Sequence, residues 1–225
     1  MSEDTDVTIH VVRNEVDPSH EYHCDALADR FPEAETIDYP DGERVPIGET
    51  DGVVLTGSTA GVYESNEYDW IAEQETLVRD LVEREIPLLG VCFGHQIVNT
   101  ALGGVVEHVG TEAALVEAEL ATDPIFADVD PVVVSLHGDE VIEVGEGLEV
   151  IAAADHAPLF GTRHRSAPVR TVQFHPEITA DLRQQLLADF QWEEREFSFE
   201  DVHAESVFEN FRKLVNEHRD RRSPD

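Results

Sequence analysis

Short apolar runs rich in β-branched residues alternate along this chain with stretches whose apolar residues recur at helical spacing. "TIHVV" (8–12) predicts a first strand, followed by a helical "SHEYHCDALADRF" (19–31). "GVVLTGS" (52–58) predicts a strand running into a loop of small residues. From Trp70 the apolar residues Trp70, Ile71, Leu77, Val78, Leu81 and Val82 follow helical spacing, with acids and Gln74 between them. Pro87 marks the switch to the strand "PLLGV", and after Cys92 "HQIVNTALGG" has helical spacing and ends on a glycine pair suited to a C-cap. "PVVVSLHGDEV" (131–141), "LEVIAAAD" (148–155) and "VRTVQFHPE" (169–177) each predict a strand entering a polar loop. Helical patterns at 179–190 and 204–218 follow. Strands alternating with helices predict an α/β three-layer sandwich around a central, mostly parallel sheet.

Composition adds limits. A chain of 225 residues suits one domain, with residues 1–6 and 219–225 expected to fray. With 41% hydrophobic and 28% charged residues it is expected to fold rather than stay disordered. No apolar run approaches the length of a membrane span, and the acidic opening "MSEDTD" is not a secretory leader, so a soluble cytoplasmic protein is expected. Two cysteines are too few for a disulfide framework and are expected to be reduced. The 49 acidic and 15 basic residues leave a formal net charge of −34, which disfavours nucleic acid and anionic membranes as partners.

One of those cysteines carries the first chemical signal. In "IPLLGVCFGHQ" (86–96) Cys92 follows an apolar strand pattern and precedes a helical one, with Gly90 and Gly94 two residues to either side. A strand turning sharply into a helix exposes the turn residue at the carboxyl edge of an α/β sheet, where active sites gather. A helix N-terminus also favours thiolate. Alone, such a cysteine also reads as a small buried hydrophobe. "QFHPE" (173–177) supplies what a nucleophile needs: His175 as a base that takes and returns a proton, and Glu177 as a carboxylate to orient it.

"GVCFGHQ" together with "HPE" resembles the two signatures of class I (triad) glutamine amidotransferases, over about residues 50 to 180. The resemblance implies a flavodoxin-like α/β fold. It implies that Cys92 attacks the side-chain amide of glutamine, that ammonia leaves, and that water hydrolyses a glutamyl thioester. His175 would be base and acid, and Glu177 its orienter. The loop "LTGSTAGVYE" (55–64) resembles the oxyanion loop of the GMP synthetase glutaminases, which implies backbone donors at Ser58, or else Gly57, opposite the N–H of Phe93. Ser58 and Thr59 replace a glycine and a proline of that pattern. "LHGDEV" (136–141) resembles a substrate loop of the same relatives with Leu136 in place of serine, implying that Gln96, His137 and Asp139 help hold glutamine.

Other features point away from further chemistry. "HEYHC" (20–24) has metal-like spacing but fits one polar face of an amphipathic helix, so no metal is expected. No phosphate-cradling G-x-x-x-x-G-K-[ST] loop is present and no cofactor is expected. A glutaminase site without an ATP site implies either a synthetase partner that receives ammonia in trans or a γ-glutamyl hydrolase working alone; a non-catalytic binding protein is the third possibility. The overall pattern is most similar to stand-alone proteins related to the GMP synthetase glutaminase. The dispersed acidic coat, with Lys213 as the sole lysine, resembles the surface of proteins from extreme halophiles.

Overall fold

The computed structural model describes residues 7–190, 192 and 196–222. Among them the strands are β1 (Ile9–Arg13), β2 (Glu35–Asp38), β3 (Gly52–Leu55), β4 (Leu88–Val91), β5 (Val105–Leu120), β6 (Val132–Glu143), β7 (Leu148–Ala154), β8 (Gly161–His164) and β9 (Val169–Val172). The helices are α1 (Tyr22–Ala28), α2 (Trp70–Glu83), α3 (Phe93–Ala101), α4 (Arg183–Asp189) and α5 (Ser206–Arg222).

The strands form one sheet in the order β2-β1-β3-β4-β9-β8-β7-β5-β6. The central body from β2 to β9 is parallel, and the remaining strands extend it antiparallel. Every residue of β3 and β4 is buried, as expected where both faces of a parallel sheet are covered. Val53, Leu55 and Leu88 pack with α2 and α3 on one face. Val54, Leu89 and Val91 face the other way, toward Leu27 of α1 and Phe208 and Phe211 of α5. Two cores on opposite faces of one sheet make the expected three layers. A third cluster sets Leu186 of α4, Trp192 and Phe199 against Val132 and Val134 of β6.

Strands β2, β5 and β8 were not expected from the sequence. β2 and β8 carry no apolar run, and the one in β5, residues 113–116, is mostly half-buried and flanked by acids. β5 owes its strand geometry to pairing with β6. The fraying expected from residue 219 does not begin there. α5 runs through Arg222, and Arg219, Arg221 and Arg222 in its last turn oppose the negative end of the helix dipole. Residues 1–6 and 223–225 lie outside the described residues. Among the described residues no helix is long and apolar enough to cross a membrane.

Candidate active site

The turn from β4 into α3 is a strained elbow. The Cys92 N–H donates to Val172 O of β9 at 2.9 Å, and its backbone sits at φ 53°, ψ −106°, a region non-glycine residues rarely enter. The two flanking glycines are required by close approach. A Cβ on Gly90 would stand 2.4 Å from the Gly94 carbonyl oxygen, and one on Gly94 would stand 2.5 Å from Leu55 O. The Phe93 ring is fully buried and packs on Trp70 with centroids 5.5 Å apart, which pins the first turn of α3.

His175 reaches the same place from β9. After the strand ends, the His175 N–H donates to Val134 O at 2.9 Å, locking the "HPE" turn onto β6. Its Nδ1–H donates to Glu177 Oε1 at 2.6 Å, and its Nε2–H donates to Leu136 O at 3.1 Å. Cys92 Sγ lies 3.7 Å from that same carbonyl. Cys92, His175 and Glu177 are only 6%, 3% and 1% exposed. Burial works against charge on His175, but the charges of Glu177 and Cys92 outweigh it and hold the imidazole well above its ordinary pKa of 6.5. A ring with an acceptor at each nitrogen is built to carry a proton.

A cleft of about 300 Å³ opens over the thiol, lined by Ser58, Cys92, Gln96, His137, Asp139 and His175 among others. That size is at the small end for ligand pockets. Within the loop that follows β3, the Thr59 N–H is held by Glu15 and the Ala60 N–H by Ser58 Oγ. Among the described residues the N–H groups of Gly57 and Ser58 make no hydrogen bond within the protein. The first N–H groups of α3, Phe93 included, lack intrahelical partners by construction. Gln96 is tied inward, its Nε2 donating to Asp139 O at 3.0 Å and to Gln173 Oε1 at 3.2 Å. The Asp139 carboxylate accepts from Tyr63 and His108 at the rim, and His137 Nε2 meets His156 rather than the cleft.

The model of the family "Glutamine amidotransferase class-I" matches residues 5–193. The chain is a class-I glutamine amidotransferase.

Among curated relatives, "GMP synthase [glutamine-hydrolyzing]" of Lactobacillus delbrueckii subsp. bulgaricus is 33% identical over 132 residues, covering 56% of this chain and 24% of that protein. The same-named protein of Staphylococcus aureus is 32% identical over the same length, with the same coverage. The amidotransferase therefore spans about a quarter of the length of these relatives. In fold it is similar to a glutamine amidotransferase from Thermotoga maritima, with 20% identity, a TM-score of 0.68, and 95% of each chain covered. A glutamine amidotransferase from Methylobacillus flagellatus superposes with a TM-score of 0.66 at 17% identity, with 93% of this chain and 90% of that one covered.

The amidotransferase also carries a pair beside Cys92 and His175 that the sequence did not suggest. Glu15, in the loop after β1, has a carboxylate only 1% exposed. It accepts from His23 Nε2 at 2.8 Å, from the backbone of Val16 and Asp17, and from the N–H and hydroxyl of Thr59. Burial disfavours its charge, yet the hydrogen bonds from His23 and Thr59 prevail and hold its pKa down to about 2. The His23 ring stands edge-on to His175 with centroids 6.0 Å apart. A Cβ on Gly57 would come within 3.2 Å of His23, 3.3 Å of His175 and 3.5 Å of Cys92. "HEYHC" is thus not a solvated polar face: His23 and Cys24 are buried because α1 lays them against the ends of β1 and β3. The one sequence signal was position, an acid just past the carboxyl end of a predicted strand.

Proposed function

We propose that residues 1–225 act as one glutaminase domain that hydrolyses the side-chain amide of glutamine and passes ammonia to a synthetase partner in trans. The observation that carries this reading is the meeting of Cys92, His175 and Glu177 at a strained elbow under a small cleft. The relatives named as GMP synthase support a synthetase acceptor, since this chain matches only about a quarter of their length.

In this mechanism the Cys92 proton rests on His175 Nε2, and Sγ attacks the amide carbon of glutamine as a thiolate, forming a C–S bond. The negative charge that develops on the amide oxygen meets the N–H groups of Phe93 and of Ser58, or Gly57. His175 Nε2–H swings from Leu136 O to the departing nitrogen and donates its proton, the C–N bond breaks, and ammonia leaves. Water then attacks the glutamyl thioester while His175 Nε2 accepts its proton. The C–S bond breaks, releasing glutamate. Glu177 keeps Nδ1 protonated and the ring in register throughout. Gln96, His137 and Asp139 act from the wall, by shaping the cleft and offering main-chain contacts, because their side chains are engaged with other protein groups.

A diazo-ketone analogue of glutamine should label Cys92 and spare Cys24, which is fully buried behind Thr56. Peptide mass mapping checks this, and label on Cys24 alone would overturn the assignment. Comparing turnover of glutamine with that of γ-glutamyl dipeptides then tests the substrate. Preference for the dipeptides would replace the amidotransfer reading with a γ-glutamyl hydrolase, and no turnover of either would favour a binding role.

The charge pattern leads to a proposal about the medium: the protein works in molar salt, as halophile proteins do. With a formal charge of −34, acidic groups repel one another across the surface unless ions screen them. The Debye length falls from about 30 Å at 0.01 M salt to about 3 Å at 1 M, which confines the repulsion to near neighbours. Pairs such as Asp123 with Arg163 and Arg170, whose carboxylate is 1% exposed, lie largely out of reach of that screening. Thermal midpoint and glutaminase rate should therefore rise between about 0.05 M and about 2 M potassium chloride. A flat or falling midpoint would defeat the salt reading and leave the triad untouched.

A further inference from the structure

At the β6 wall of the cleft, His137 faces a second imidazole, that of His156, across a gap of metal-ligand size. His137 Nε2 and His156 Nε2 are 3.3 Å apart. Zinc–nitrogen bonds of about 2.0–2.1 Å at a tetrahedral angle place two ligand nitrogens about 3.3–3.4 Å apart. Glu140 brings a carboxylate to the same point, so that one ligand atom from each of His137, Glu140 and His156 lies within 4.8 Å of the others. Glu112 stands directly opposite His137 in the β5–β6 register.

We propose that His137, His156 and Glu140, with Glu112 at hand, form a site for one first-row divalent cation, zinc being the best fit. This departs from the sequence expectation of no metal, which considered only "HEYHC". Two imidazoles and a carboxylate are a donor set that suits zinc. The site bears on the catalytic apparatus through one peptide unit. Residue 136, next to His137, supplies the carbonyl that holds His175 Nε2. Metal on His137 would therefore fix the strand that sets the resting position of the base.

The test uses the full chain, stripped with chelator and titrated with cobalt(II) and then zinc(II). The expected result is one equivalent of cobalt with the intense visible ligand-field band of a tetrahedral site, no thiolate charge-transfer band, displacement by zinc, and a higher thermal midpoint with zinc bound. His156→Ala should weaken cobalt binding by about tenfold or more, the scale on which even outer-shell partners of metal ligands act. Glu140→Gln, which keeps the shape of the strand, should weaken it likewise, and it carries the test if the alanine variant does not fold. Absence of binding by the stripped chain overturns the proposal. So does a thiolate charge-transfer band that survives His156→Ala and disappears in Cys92→Ser, because the ion would then sit on the triad.

Discussion

Replacing His175 with alanine should lower glutamine turnover by a factor on the order of 10²–10⁴, the usual contribution of a general acid–base group. The loss should be this large because, in the proposed mechanism, one ring performs both proton transfers, giving a proton to the departing amide nitrogen and taking one from water. Steady-state ammonia release measures it, and turnover at the parent rate would refute the triad reading. Glu177→Gln should cost less, since the imidazole stays in place on the Leu136 carbonyl. A pH profile adds a sharper readout. Burial pulls the His175 pKa down, but Glu177 and then Cys92 raise it well above 6.5, so the protonated form persists through neutral pH. Proton donation to the leaving group should fail only as pH rises through that raised value. The alkaline limb of kcat/KM should therefore lie above the ordinary histidine range and move to lower pH in Glu177→Gln. The same sign governs stability. A pKa raised by folding stabilises the native state fully below about 6.5 and loses that contribution as pH climbs through the native value.

Gly90→Ala should be the most damaging single methyl in the molecule. Its Cβ would stand 2.4 Å from a backbone oxygen of the elbow helix and 2.6 Å from the carbonyl carbon, atoms that cannot rotate away. Relief requires α3 to withdraw from β4, yet Gly94 is already pressed on Leu55 O and Phe93 is held under Trp70. Overpacking of this kind costs about 3 kcal/mol or more. For a chain of this size that lowers the thermal midpoint by about 10 °C. Activity should fall further than stability, because any shift of α3 moves Cys92 and the Phe93 N–H together. Gly48→Ala is the control: nothing lies within 4 Å of its Cβ, so its midpoint should match the parent. A Gly90→Ala protein with parental midpoint and rate would show that the elbow is not under the constraint described.

Much of the molecule was legible in local sequence because local geometry dictates it. An elbow between a buried strand and a helix needs small residues at two fixed positions around its turn, so Gly90 and Gly94 flag Cys92 without any knowledge of the fold. His175 and Glu177 lie two residues apart, so "HPE" holds their geometry within one turn. The fully covered strands β3 and β4 announce themselves as apolar runs, and α2 by its spacing. By itself, then, the sequence determined the α/β alternation, the elbow, the identities of the three residues that meet there, and the excess of negative charge. Tertiary structure decided the remainder, which depends on groups that become neighbours only on folding. The strands β5 and β8 exist because partners complete their hydrogen bonds. The Leu136 carbonyl reaches His175 although β6 stands at the far edge of the sheet, because Val134 O binds the His175 N–H and brings the strand over the "HPE" turn. Glu15 meets Thr59 across 44 positions, and His137 meets His156 across 19. No periodicity encodes such pairs. A buried charge or imidazole is stabilised by whichever partners the topology brings within hydrogen-bond range, and that distance is a property of the folded chain alone.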